Sequence, residues 1–167
     1  MAPRTASEMA SDSSATDSLD AATDAVLLAS RALVGVAVRS LEPVAITLPQ
    51  FRALVLLAQH GPQNVGGLAE LLAIHPSTAT RLCDRLLALG HIERATSRES
   101  RREVTVVLSA RGRALVRKVT VRRREEIQAV VAALSPARRA ELVSGFEAFA
   151  AAAGERPDDA WKLGWST

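Results

Sequence analysis

The hydrophobic period of this chain switches from 3.6 residues to 2 in mid-sequence and then switches back. Ala79, Leu82, Cys83, Leu86 and Leu87 recur at the spacing of one helical face, behind a proline, Pro76, suited to the first helical position. Gly90 ends that helix. His91 to Ala95 then reads as a short strand, with Val104, Val106 and Leu108 alternating with Thr105 and Val107 in its partner. Thr96 to Glu103, between the two, are too polar to bury. From Ser109, a good N-cap, the helical period returns through Leu115, Val116, Val119, Ile127, Val130, Val131 and Leu134. A helix that stops at glycine, becomes a hairpin with an Arg-rich tip and resumes as a long helix admits few small folds.

The flanking segments are helical. The pattern begins near Asp17 or Ser18 and runs to about Leu41, with Val26, Leu27, Ala29, Leu33, Val34 and Val38 at helical spacing. Pro43 closes it. Thr47-Leu48-Pro49-Gln50 is a capping-box pattern for a helix to about Gln59 that buries Phe51, Leu54, Val55 and Ala58. Asn64 caps a short third helix carrying Val65, Leu68, Ala69 and Leu72. Ser135-Pro136 opens the last helix, with Leu142, Phe146, Phe149 and Ala153. The long helix after Ser109 would extend about 37 Å, more than this domain's own core needs, so it requires a partner surface.

Charge narrows the function. Residues 77–124 hold thirteen Lys or Arg against four acids, whereas residues 1–24 hold one Arg against five acids. A basic block of that size suits a polyanion. No apolar run approaches the ~20 residues of a membrane span, so no membrane partner is expected. Residues 1–24 lack the apolar core of a secretory signal, and the one cysteine, Cys83, cannot form an internal bridge, so a cytoplasmic location is expected. Three scattered histidines and one cysteine offer no metal site, and no cofactor is expected. No paired carboxylates, nucleophile–histidine pair or phosphate-binding glycine loop stands at a useful spacing, which argues against an enzyme.

Two short helices joined by a tight turn and followed by a two-stranded ribbon form a winged helix-turn-helix. The fold class is mostly α with a small β-hairpin wing. Residues 76–89 would be the recognition helix and residues 91–108 the wing. Ser77, Thr78, Thr80, Arg81 and Arg85 fall on the outer face of that helix, where small polar and Arg side chains can reach base edges and phosphates in a major groove. Arg98, Arg101 and Arg102 at the wing tip can follow the backbone or enter the minor groove. A winged-helix protein–protein module is the other reading, but such modules favour apolar contacts where this helix is polar and basic.

The run His75-Pro76-Ser77-Thr78-Ala79-Thr80-Arg81-Leu82-Cys83-Asp84-Arg85-Leu86, with Gly90-His91-Ile92-Glu93-Arg94, resembles the recognition helix and first wing strand of MarR-type transcriptional regulators. Ser100-Arg101-Arg102-Glu103-Val104 and Leu108-Ser109-Ala110-Arg111-Gly112 resemble that family's wing tip and the entry to its fifth helix. Ser100 stands where the family usually has Asp, and His75 where Ser is a common N-cap. The resemblance implies a homodimer that reads a pseudo-palindromic double-stranded operator, as a repressor or less often an activator. It also implies a small aromatic or anionic effector, for which Arg31, Arg39 and Phe51 are candidate lining residues. The expected organisation is a flexible arm (1–17), an N-terminal dimerisation helix (18–46), the winged helix-turn-helix (47–109), C-terminal dimerisation helices (110–153) and a flexible tail (154–167).

Several residues carry a blander reading. Cys83 falls on the buried helix face, where cysteine is usually a small hydrophobe rather than an oxidant sensor. Asp84 is expected to orient Arg81 and Arg85 rather than read a base. Arg122, Arg123 and Arg124 read as a solvated helix face.

Overall fold

The structure, a computed structural model, describes residues 6–96 and 104–155. Its elements are α1 (Ala6–Leu41), α2 (Leu48–His60), α3 (Val65–Leu72), α4 (Pro76–Ala88), β1 (Ile92–Thr96), β2 (Val104–Leu108), α5 (Ala110–Ala132) and α6 (Pro136–Ala152). Among the described residues the chain is mostly helical with one two-stranded antiparallel sheet. It separates into two compact units, Met1–Arg39 and Ser40–Thr167.

The first unit is the body of α1. The helix begins at Ala6, so most of the segment expected to be a flexible arm is helical; residues 1–5 lie outside the described residues. Once a helix is nucleated each added residue costs little, and the Ala-containing stretch before Asp17 holds no Gly or Pro after Pro3 to stop it. Leu27, Leu28, Leu33, Val34 and Val38 are exposed along α1. By length and composition Asp17–Leu41 could also cross a membrane, which corrects the expectation that no such stretch exists. The charges and hydroxyls that interrupt its apolar runs are too few to pull its average hydropathy down.

The second unit has its core around α2. That helix buries Phe51, Ala53, Leu54, Val55, Leu56 and Leu57, more than one stripe, because other elements cover it on several sides. The capping box at its start is formed: Gln50 N–H donates to Thr47 Oγ1 at 3.4 Å and Thr47 N–H to Gln50 Oε1 at 2.8 Å. Leu68 from α3, Leu82, Cys83 and Leu86 from α4, Ile92, Val106 and Leu108 from the sheet, and Val116 and Val119 from α5 complete the core. A buried leucine such as Leu54 or Leu86 is worth about 2–5 kcal/mol against alanine.

The turn between α3 and α4 is set by Ala73, in the left-handed region at φ 53°. Gly90, at φ 69°, does the corresponding work after α4, where glycine carries no Cβ penalty. The sheet pairs Ile92 with Leu108 through Thr96 with Val104. Gln63, in the α2–α3 connection, adds a bridge to Val106 through bonds of 2.7 and 3.1 Å. Strand β1 starts at Ile92 rather than His91, because His91 N–H still closes the end of α4 on Leu86 O at 2.9 Å. Helix α6 buries no residue, and Val143, Phe146 and Phe149 are exposed on it.

Candidate nucleic-acid interface

Helix α4 divides its residues cleanly. Ala79, Leu82, Cys83 and Leu86 are buried, while Ser77, Thr78, Thr80, Arg81 and Arg85 are all exposed. The five residues chosen from the sequence therefore share one unobstructed polar face. The other three, Arg98, Arg101 and Arg102, lie outside the described residues, as does Ser100.

His75 is the N-cap of α4. Its Nδ1 accepts the Ser77 backbone N–H at 3.3 Å and lies 2.9 Å from Ser77 Oγ. Imidazole thus takes, in place of the common serine, the acceptor role that serine oxygen usually fills. Thr80 Oγ1 donates to Pro76 O at 3.0 Å. Asp84 pairs with Arg94 on β1 at 3.7 Å rather than with Arg81 or Arg85. Arg85, at i+1, diverges from Asp84 on the helix surface, and although Arg81 at i−3 could reach it, the carboxylate turns to Arg94 on the neighbouring strand. Both partners are exposed, so the pair contributes little to stability but links wing strand to recognition helix.

The wing is fastened to α5 by a compact junction. Ser109 Oγ accepts the Gly112 N–H at 2.9 Å and donates to Gly90 O at 2.7 Å. Ser109 N–H donates to His91 O at 3.1 Å, and Arg113 Nη1 to Leu108 O at 2.7 Å. One serine thus caps α5 and holds the glycine that ends α4. His91 is buried beside this junction with Nδ1 lacking a hydrogen-bond partner among the described residues, and burial, then the nearby Arg111 charge, pushes its pKa down. Cys83 is also buried; burial, then Asp84, pushes its thiol up and away from the reactive thiolate.

A cleft of about 290 Å³ opens between α2 and α5, lined by Leu48, Phe51, Arg52, Val55, Thr120, Arg123 and Glu155. Arg123 was expected on a solvated face. Instead its guanidinium stands 5.3 Å from the Phe51 ring centroid, and its Nε and Nη2 are buried without a hydrogen-bond partner among the described residues. Burial lowers its pKa. Arg122, by contrast, is exposed and pairs with Glu126 at 3.8 Å. Arg52 engages both carboxylate oxygens of Glu155, and among the described residues no ion pair is seen at Arg123. Of the candidate effector residues Phe51 lines this cleft, and Arg31 and Arg39 are exposed on α1 in the other unit. Arg123 was hidden in the sequence because an Arg-Arg-Arg run does not show which member turns inward.

Comparison with known proteins places these features. The sequence model of the MarR family matches residues 46–104. An uncharacterized HTH-type transcriptional regulator of Bacillus subtilis, YfiV, is 30% identical over 100 residues, covering 60% of this chain and 62% of its own length. The chain thus spans less than two thirds of that relative. A second HTH-type transcriptional regulator, Mb0904 of Mycobacterium bovis, is 30% identical over 112 residues, 67% of this chain and 78% of its own. The crystal structure of RV1404 from Mycobacterium tuberculosis superposes with a TM-score of 0.79 at 45% identity, covering 84% of this chain and 97% of that one.

Proposed function

Because this chain belongs to the MarR family of winged helix-turn-helix transcriptional regulators, we propose that it binds operator DNA as a homodimer and represses nearby genes. Members of that family are regulators rather than enzymes. The observation that carries the reading is the face of α4, where Ser77, Thr78, Thr80, Arg81 and Arg85 stand exposed together with no large apolar side chain among them. Arg98, Arg101 and Arg102 at the wing tip would hold the flanking backbone.

The exposed apolar residues support the dimer. Leu27, Leu33, Val34 and Val38 on α1, and Val143, Phe146 and Phe149 on α6, are the kind of surface a monomer leaves uncovered at a cost in solubility. A two-fold dimer would set its recognition helices about 34–36 Å apart and read a pseudo-palindrome. The same reading places the protein in the cytoplasm and assigns the apolar side of α1 to a partner copy rather than to a membrane.

The cleft supports an effector. A partly desolvated guanidinium beside an aromatic ring, with Nε and Nη2 unbonded among the described residues, suits a small aromatic carboxylate, which would satisfy those N–H groups and stack on Phe51. Binding there would couple to DNA release through α5, whose first turn is fastened to the wing. The test is selection of the purified chain against random duplex DNA, with its mass measured in solution. A pseudo-palindromic motif and a dimeric mass are expected; an unselective monomer would refute the reading.

A further inference from the structure

The hydroxyl protons of Ser77 and Thr80 are already committed inside the protein. Thr80 Oγ1 gives its proton to Pro76 O at 3.0 Å. At Ser77 two groups converge on His75 Nδ1, the backbone N–H at 3.3 Å and the hydroxyl at 2.9 Å. An amide N–H can only donate, so Nδ1 must carry the lone pair, and the hydroxyl facing the same atom donates too. Both hydroxyls are exposed, three residues apart on one face of α4, and outward each offers only lone pairs.

We infer that Ser77 and Thr80 determine specificity as hydrogen-bond acceptors, selecting the amino groups of adenine or cytosine, with His75 the positioning residue that fixes the polarity of Ser77. A free serine or threonine hydroxyl can donate or accept and so reads bases with little preference. Here the donor role is spent. Guanine O6 and N7 and thymine O4 are acceptors and would face lone pair against lone pair, whereas adenine N6 and cytosine N4 present hydrogens. Arg81 lies one turn from Ser77 and is a donor only, so this face offers acceptors toward the start of α4 and a donor beyond them. This inference rests on the operator-binding reading above.

The experiment uses the full chain and the duplex chosen by selection from a random pool. Each adenine in the motif is replaced in turn by purine, and each cytosine by pyrimidin-2-one, which removes only the amino group. For the unaltered protein, at least one such deletion should weaken binding by roughly five-fold or more. Ser77→Ala or Thr80→Val should abolish the sensitivity at one position each while leaving the others intact. His75→Ala frees the Ser77 proton, so preference for an amino base at the Ser77 position should fall towards none. His75→Asn, which restores an acceptor at the N-cap, should recover it. Amino deletions that all leave affinity within about two-fold would overturn this inference alone, as would a His75→Ala protein with unchanged preference. A pool that yields no preferred sequence would overturn the operator reading and this inference with it.

Discussion

Gly112 sits so close to His91 that a β-carbon on it would penetrate the His91 carbonyl oxygen and stand 3.0 Å from the carbonyl carbon and 3.2 Å from Leu108 Cδ2. The first turn of α5 can therefore lie on the base of the wing only with glycine at this position. Gly112→Ala should destabilise the protein by about 1–3 kcal/mol, since backbone rather than a flexible side-chain end must move. Urea unfolding followed by circular dichroism measures it, and an unchanged midpoint would mean that the junction is looser than described.

Ala73 offers the opposite change. Its φ of 53° costs an L-residue about 1 kcal/mol that glycine avoids, partly offset by glycine's greater freedom in the unfolded chain. Ala73→Gly should raise stability by about 0.5 kcal/mol in the same assay, with α4 keeping its DNA affinity.

His91 should make stability depend on pH. Its folded pKa lies below the ordinary 6.5 because burial and Arg111 oppose the imidazolium. The unfolded chain then binds more protons just below pH 6.5, so stability is complete above that value and falls as pH drops towards the folded value. His91→Gln should flatten that part of the profile in thermal melts between pH 7.5 and about 5. A wild-type profile parallel to the variant's would refute the assignment.

Arg123 is predicted to matter for the effector and little for folding. Arg123→Met removes a partly buried cation whose Nε and Nη2 find no hydrogen-bond partner among the described residues and should leave stability unchanged or slightly higher. In a titration with benzoate the wild-type chain should release DNA and the variant should not. Equal release from both would place any effector elsewhere.

Local features were legible in the sequence, and tertiary ones were not. The Thr47–Gln50 box, the Ser109 cap and the Gly90 stop each depend on residues within a few positions, and each forms as the chain reads. The outer face of α4 followed from period alone, because Ala79, Leu82, Cys83 and Leu86 leave the remaining positions outside. Arg123 over Phe51, Asp84 on Arg94 and the Gln63–Val106 bridge join residues that only packing brings together. Composition also misjudged the start of α1, where a weak helical tendency continues an established helix towards Ala6.

The central claim is that α4 and the wing read DNA. Arg81→Ala and Arg85→Ala should each cost about 1–3 kcal/mol of specific binding, and Arg102→Ala should weaken binding evenly across sequences. The most direct measurement is titration of the purified chain on labelled duplex from upstream of its own gene and on a scrambled duplex, across a salt series, with these three variants alongside. The account predicts tight binding to the first probe only, with affinity falling steeply as salt rises and the variants losing it as stated. Equal affinity of all four proteins for both probes, or no binding to either at low salt, would contradict it.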